Sequence, residues 1–354
     1  MKAWEENIRK VVPYTPGEQP KRQNIIKLNT NENPYPPTPK AAQAGVTFDM
    51  DLLRKYPDPT ASELIDALSE KYNVKPSQIF VGVGSDDVIS MAFLTFFNGK
   101  KPILFPDISY SFYSVWADVY RIPFETPALD ENFKIIKEDY YKENGGIIFP
   151  NPNAPTGICE DLDFIEDIVS HNEDSVVIID EAYIDFGGKS ALELIDKYEN
   201  LLVVQTFSKS RSMAGMRIGY AMGSEKLIKA MNDVKFSINS YTMNQHSLKL
   251  GVWAVKDDAY FENNILKLVK TREESKLRLR ELGFDFPDSK ANFIFATHKT
   301  VPAKEIFEAL REAGIYVRYF DLPRIDNYLR ITVGTDGEME VFFNFLKDYL
   351  AGRQ

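Results

Sequence analysis

Short apolar runs punctuate the first two thirds of the chain at residues 79–81, 103–105, 147–149, 176–179 and 201–204. Each is too short for a helix and nearly free of polar alternation, which is the pattern of strands buried on both faces. The stretches between them are long enough to carry a crossover helix, so the pattern predicts an α/β fold with a mostly parallel sheet flanked by helices. The first helix is expected from Thr60, where Thr60 and Glu63 have capping-box spacing and Leu64, Ile65, Leu68 and Tyr72 share one face. Ahead of it Pro13, Pro16, Pro20, Pro34, Pro36, Pro37, Pro39, Pro57 and Pro59 argue against helix or central strand and predict an irregular arm.

Past residue 255 the pattern changes. A charged helical segment is expected over 260–282, then strands over 291–296, 315–319 and 328–332 around a helix ending near Gly314. A last helix should start at a second capping box, Thr335 with Glu338, and bury Phe342, Phe345, Leu346 and Leu350. The expected organisation is an N-terminal arm over 1–40, a large α/β domain over 41–255 and a smaller C-terminal α+β domain over 256–354.

At 354 residues the chain exceeds what one hydrophobic core supports, in line with two domains. With 44% apolar and 27% charged residues it is neither disordered nor collagenous. A net charge of −10 lacks the basic footprint of a nucleic-acid binder. The start has no apolar signal region and no run is long enough to span a bilayer, so no membrane partner and a cytoplasmic location are expected. The lone Cys159 fits a reducing compartment. His171, His246 and His298 are scattered without ligand spacing, so no metal is expected.

Ligands of open α/β sheets sit at the carboxyl ends of the strands, which directs attention to four loops. The first is Gly82-Val83-Gly84-Ser85-Asp86-Asp87, a glycine-flanked helix start suited to an anion, although the third glycine of a dinucleotide fingerprint is absent. The second, Pro150-Asn151-Pro152-Asn153-Ala154-Pro155-Thr156-Gly157, is a rigid turn that offers an amide. The third carries Asp180 and Glu181; a carboxylate at a buried strand end must be paired or face a site. Four apolar residues before Asp-Glu also match an ATPase strand, but the chain contains no G-x-x-x-x-G-K-[ST] loop. The fourth carries Thr206, Ser208 and Lys209, with Arg217 beyond, and a lysine desolvated at a strand end loses proton affinity and becomes a nucleophile. Together these supply a phosphate site, a carboxylate for a protonated ring nitrogen and a Schiff-base lysine, the requirements of pyridoxal phosphate.

The motifs 28–34 (LNTNENP), 54–58 (RKYPD), 152–157 (PNAPTG), 180–183 (DEAY), Ser208-Lys209 with 214–219 (AGMRIG), and 329–334 (LRITVG) resemble the aspartate-aminotransferase superfamily, fold type I of the pyridoxal-phosphate enzymes. Within it the chain is similar end to end to the histidinol-phosphate aminotransferase family. That resemblance implies a transaminase of histidine biosynthesis, moving an amino group between L-histidinol phosphate and 2-oxoglutarate. Threonine-phosphate decarboxylases and some aromatic aminotransferases share most of these segments, so their chemistry stays open as an alternative. Carried over by motif, Lys209 would bear the cofactor and Asp180 would bond its ring nitrogen. Asn153 and Tyr183 would bond its phenolic oxygen, and Tyr110 would stack on the ring. Gly84, Ser85, Asp86, Thr206, Ser208 and Arg217 would hold its phosphate, the Asp86 carboxylate itself being repelled. Tyr56 would reach the phosphate from a partner subunit, implying a homodimer with shared sites, and Tyr14, Arg318 and Arg330 would bind the substrate's anionic group. Ala154 and Asp87 depart from the commoner pattern, where Asn and Glu stand.

Overall fold

The computed structural model describes residues 2–353 and contains two sheets. In chain order the strands are β1 (Ile26–Leu28), β2 (Ile79–Gly82), β3 (Ile103–Leu104), β4 (Phe124–Glu125), β5 (Gly146–Pro150), β6 (Val177–Asp180), β7 (Leu201–Thr206), β8 (Gly219–Gly223), β9 (Phe284–Asp285), β10 (Phe293–His298), β11 (Ile315–Tyr319) and β12 (Leu329–Thr332). The helices are α1 (Pro39–Val46), α2 (Ser62–Tyr72), α3 (Ser85–Phe96), α4 (Phe112–Tyr120), α5 (Leu162–Ser170), α6 (Glu225–Ile238), α7 (Gln245–Val255), α8 (Asp258–Glu281), α9 (Ala303–Glu312) and α10 (Asp336–Ala351).

The larger sheet has seven strands in the order β2-β8-β7-β6-β5-β3-β4, all parallel except β8. Alternation sorts its side chains into two layers. Ile147, Phe149, Val177, Ile179, Leu201 and Val203 pack under α1, α2, α5 and α7, while Ile148, Ile178, Leu202 and Val204 pack against α3, α4 and α6. The near-continuous apolar runs therefore reflect burial on both faces. The smaller sheet, β1-β11-β12-β10-β9, is covered by α9, α10 and the end of α8. The capping box of Thr335 and Glu338 opens α10 as expected.

Three expectations are corrected. The arm is not irregular throughout: β1 pairs parallel with β11 at a sheet edge, and α1 tolerates Pro39 because proline at the first helical position has no amide bond to lose. Thr60 does not cap the next helix. That helix begins at Ser62, whose N–H donates to the Asp58 carboxylate at 2.7 Å, and Ala61 turns into the left-handed region at φ +53°. Finally, β8 was not expected at all, since its residues GYAMG carry two glycines and no β-branched side chain.

Candidate active site

β2, β5, β6 and β7 end at one edge of the large sheet, and the segments that follow them converge on one cavity. Its wall takes Ser85 and Asp86 from the start of α3, Ala154 beyond β5, Asp180 and Tyr183 at the end of β6, and Thr206, Ser208, Lys209 and Arg217 beyond β7. A second cavity shares Thr30, Tyr110, Ala154, Tyr183 and Lys209 with the first and adds Tyr14, Arg318 and Arg330. Lys209 thus stands on the boundary between an inner and an outer chamber.

Asp180 is buried. Its Oδ2 accepts from the Tyr113 hydroxyl at 2.8 Å and its Oδ1 from the Ala182 N–H at 3.2 Å. Burial outweighs these bonds and pushes its carboxyl up to about 6. Burial and the adjacent Asp180 push the Tyr113 hydroxyl far above its ordinary range, so it stays a donor. Lys209 Nζ lies 3.3 Å from the Thr30 carbonyl and 5.7 Å from the Tyr183 ring centre.

At the far end of the inner chamber Gly84 caps α3 with φ +87°, and the N–H groups of the first helical turn, from Ser85 on, have no intrahelical partner. β8 approaches so closely that a Cβ on Gly219 would lie 2.3 Å from the Ser85 nitrogen, which is why this strand carries glycine there. The Arg217 guanidinium donates to Ser208 Oγ at 3.4 Å and to Asp86 Oδ2 at 3.1 Å, and Tyr110 donates to Asp86 Oδ1 at 2.8 Å. Thr206 Oγ1 accepts from the Ser208 N–H at 3.1 Å. The Asp86 carboxylate is therefore held against its own donors.

In the outer chamber Arg318 and Arg330 are direct cross-strand partners on β11 and β12, which puts both side chains on one face. Arg330 donates to the Asn29 carbonyl at 3.0 Å, but its Nε is buried without a partner. Among the described residues neither arginine has a carboxylate partner. Burial, with Arg318 alongside, disfavours the Arg330 charge. Tyr14 stacks on Phe112 at 4.1 Å and meets Tyr110 edge-on.

Asn153 lies behind the wall, its amide nitrogen donating to the Ile108 carbonyl and to Thr156 Oγ1, both at 3.1 Å. Tyr56 lines neither chamber. It is 79% exposed and stacks on Tyr241 at 4.5 Å. Sequence reasoning assigned no role to Thr30, Asn31, Asn33 or Tyr113. Asn33 donates to the carbonyls of Lys209 and Ser210, and so fixes the lysine's backbone from the arm. For Thr30, Asn31 and Asn33 the only signal in the sequence is the asparagine-rich stretch 28–34, which has no periodicity to interpret; Tyr113 has none.

The residues present fit pyridoxal phosphate on two observations. Lys209, with no carboxylate partner among the described residues, and the buried Asp180 line the same chamber, and the close approach of Gly219 leaves the first turn of α3 bare beside Arg217 and Ser208.

The family described as aminotransferase class I and II matches residues 23–346, and the chain belongs to it. These are pyridoxal-phosphate enzymes. Within the class the chain falls among the histidinol-phosphate aminotransferases. It is 50% identical to the enzyme of that name from Lactococcus lactis subsp. lactis, over 98% of this chain and 97% of the relative. To that of Clostridium beijerinckii it is 48% identical over 100% and 99%. A solved histidinol-phosphate aminotransferase from Sinorhizobium meliloti, in complex with pyridoxal 5'-phosphate, shares the fold at a TM-score of 0.85 and 20% identity, covering 93% of this chain and 92% of that one.

Proposed function

We propose that the chain moves an amino group between L-histidinol phosphate and 2-oxoglutarate, as a cytoplasmic homodimer. The observation that carries the substrate choice is the pair Arg318 and Arg330, side by side in the outer chamber with no carboxylate partner. A dianionic phosphate can engage two guanidinium forks, where a single carboxylate needs one. The relatives of about 50% identity carry the same activity in their names.

In this reading residues 41–255 form the cofactor-binding domain, and 256–354, completed by β1, supply the substrate arginines. Gly84, Ser85, Asp86 through its N–H, Thr206, Ser208 and Arg217 would hold the cofactor phosphate. Asp180 would hold the ring nitrogen, Tyr183 would donate to the phenolic oxygen and Tyr110 would lie on the ring; Asn153, expected at the phenolic oxygen, has its amide nitrogen turned to Ile108 and Thr156 and would stand behind that contact. When bound, pyridoxal phosphate supplies an electron sink that makes the substrate Cα proton acidic. Lys209 Nζ takes that proton and returns it, as a general base held at the boundary of the two chambers. Asp180 carries its negative charge before any reaction occurs, so no reorganisation is needed when charge develops. Arg330 and Arg318, with Tyr14, orient the substrate through its anionic end.

Dimerisation is supported by Met50, Leu53 and Tyr56, which are exposed, the last stacked on Tyr241, in a segment that Gln245 pins through the carbonyls of Leu52, Lys55 and Tyr56. Tyr56 would enter the partner's site. The test is kcat/KM for a panel of amino donors with 2-oxoglutarate as acceptor, scoring keto product and carbon dioxide. Histidinol phosphate should lead. Comparable values for phenylalanine, or carbon dioxide from threonine phosphate, would overturn the substrate and leave the cofactor chemistry standing.

A further inference from the structure

Asn31 lies in the stretch 28–34, and the mechanism above gives it no part. It is 1% exposed and takes φ +56°, a left-handed conformation that asparagine tolerates better than most residues. Its backbone N–H donates to Thr332 Oγ1 at 3.0 Å, and the Thr332 hydroxyl donates back to Asn31 Oδ1 at 3.0 Å. Its carbonyl accepts from the Asn292 amide at 2.9 Å, and its own Nδ2 donates to the Tyr183 hydroxyl at 2.9 Å.

Counting protons sets the direction of this chain. Thr332 Oγ1 already accepts the Asn31 N–H, so its single proton goes to Asn31 Oδ1. That fixes the amide with its nitrogen toward Tyr183, whose oxygen must then accept. The Tyr183 proton is left over, and among the described residues no protein acceptor takes it. We infer that Asn31 is a positioning residue that sets the Tyr183 hydroxyl as a donor into the inner chamber. Asn31 also ties this donor to the substrate arginine, because Thr332 lies two residues beyond Arg330 on β12. The inference rests on the proposed contact of Tyr183 with the phenolic oxygen of the cofactor.

Asn31→Asp tests it in the holoenzyme. Aspartate keeps the size and the tolerance for left-handed backbone but presents only acceptors, so the Tyr183 proton turns away from the chamber. The readouts are the pH midpoint of the visible absorbance and the cofactor dissociation constant. A donor withdrawn from the phenolic oxygen leaves more negative charge beside the Lys209 nitrogen, which then holds its proton to higher pH. The midpoint should rise by about one unit and the dissociation constant about tenfold, as in Tyr183→Phe. Adding Tyr183→Phe to Asn31→Asp should change neither value further. Asn31→Gly, neutral and at ease in the same backbone, should shift the midpoint the same way, by less, and serves if the aspartate variant does not fold. Wild-type titration of both Asn31 variants beside a shifted Tyr183→Phe overturns the inference. So does an Asn31→Asp shift that persists undiminished in the Phe background, which marks a simple charge effect. A silent Tyr183→Phe instead overturns the cofactor contact on which the inference stands, and the inference with it.

Discussion

In the inner chamber the carboxylates are answered from within the protein. Asp180 accepts from Tyr113, and Asp86 accepts from Tyr110 and Arg217. In the outer chamber Arg318 and Arg330 sit together with no carboxylate among the described residues, and a buried Nε of Arg330 has no partner. The first region comes from strand ends of a sheet buried on both faces, where an unanswered charge costs several kcal/mol. The second comes from two strands of the small sheet and the arm, where burial and the neighbouring Arg318 disfavour the Arg330 charge and leave it for a ligand to answer. On the function proposed above, the difference separates two tasks: the inner chamber would be arranged in advance for one fixed group, while the outer would wait for its anion.

The sharpest way to break this division is at the boundary. Lys209→Ala should abolish transamination while circular dichroism and melting stay those of a folded protein, and borohydride reduction of the parent should label Lys209 alone; a pyridoxyl group mapped to another lysine sinks the assignment. Within the inner chamber, Asp180→Asn should lower kcat roughly 10²- to 10³-fold, since the amide keeps the shape without the charge. Near-parental turnover would remove Asp180 from the mechanism.

The same substitution should show in stability. Folded, Asp180 holds its proton to about pH 6, but in the unfolded chain only to about pH 4. Across that window the folded state binds more protons, so this residue's contribution is present below pH 4 and is lost as pH rises through 6. Urea unfolding of the apoproteins should therefore show Asp180→Asn gaining up to about 3 kcal/mol on the parent between pH 4 and pH 8. A pH-independent difference would mean that Asp180 is not held by burial.

For the outer chamber, Arg330→Ala should lower kcat/KM for both half-reactions by one to two decades, the worth of about 1.5–3 kcal/mol from a lost charge-assisted bond. Arg318→Ala should impair histidinol phosphate more than glutamate, and equal losses would erase the distinction between the pair. The smallest effect concerns the subunits. Mixing Lys209→Ala with Tyr56→Phe chains should restore activity above either parent, through heterodimers with one intact site, and no gain on mixing would place Tyr56 outside the partner's site.

Much of the inner chamber was legible in sequence, because the physics that writes β5, β6 and β7 as unbroken apolar runs also marks their ends, where Asp180 and Lys209 stand out as polar. β8 was not legible: Gly219 is there for a close backbone approach, a property with no pattern along the chain. The capping box at Thr60 misled because Asp58, two residues earlier, captures the same N–H groups more directly. The arm hid most. Prolines around β1 and α1 mask both elements in the sequence, and the asparagines that fix Lys209 and Tyr183 act through contacts across more than 150 positions, which no local pattern encodes.

The pairing of β1 with β11 bears on how the molecule is made. Ile26 leaves the ribosome long before its partner Ile315 has been made. The seven-stranded sheet can close on itself as soon as α7 has emerged, whereas the smaller sheet waits for β9 to β12 before β1 has a place to pair. Contacts this remote are entropically slow to close, so the last event of folding should be the capture of the arm. The residues between β1 and α1 then complete the lining of both chambers, Thr30 on each, so the finishing of the small domain and the finishing of the active site are one event.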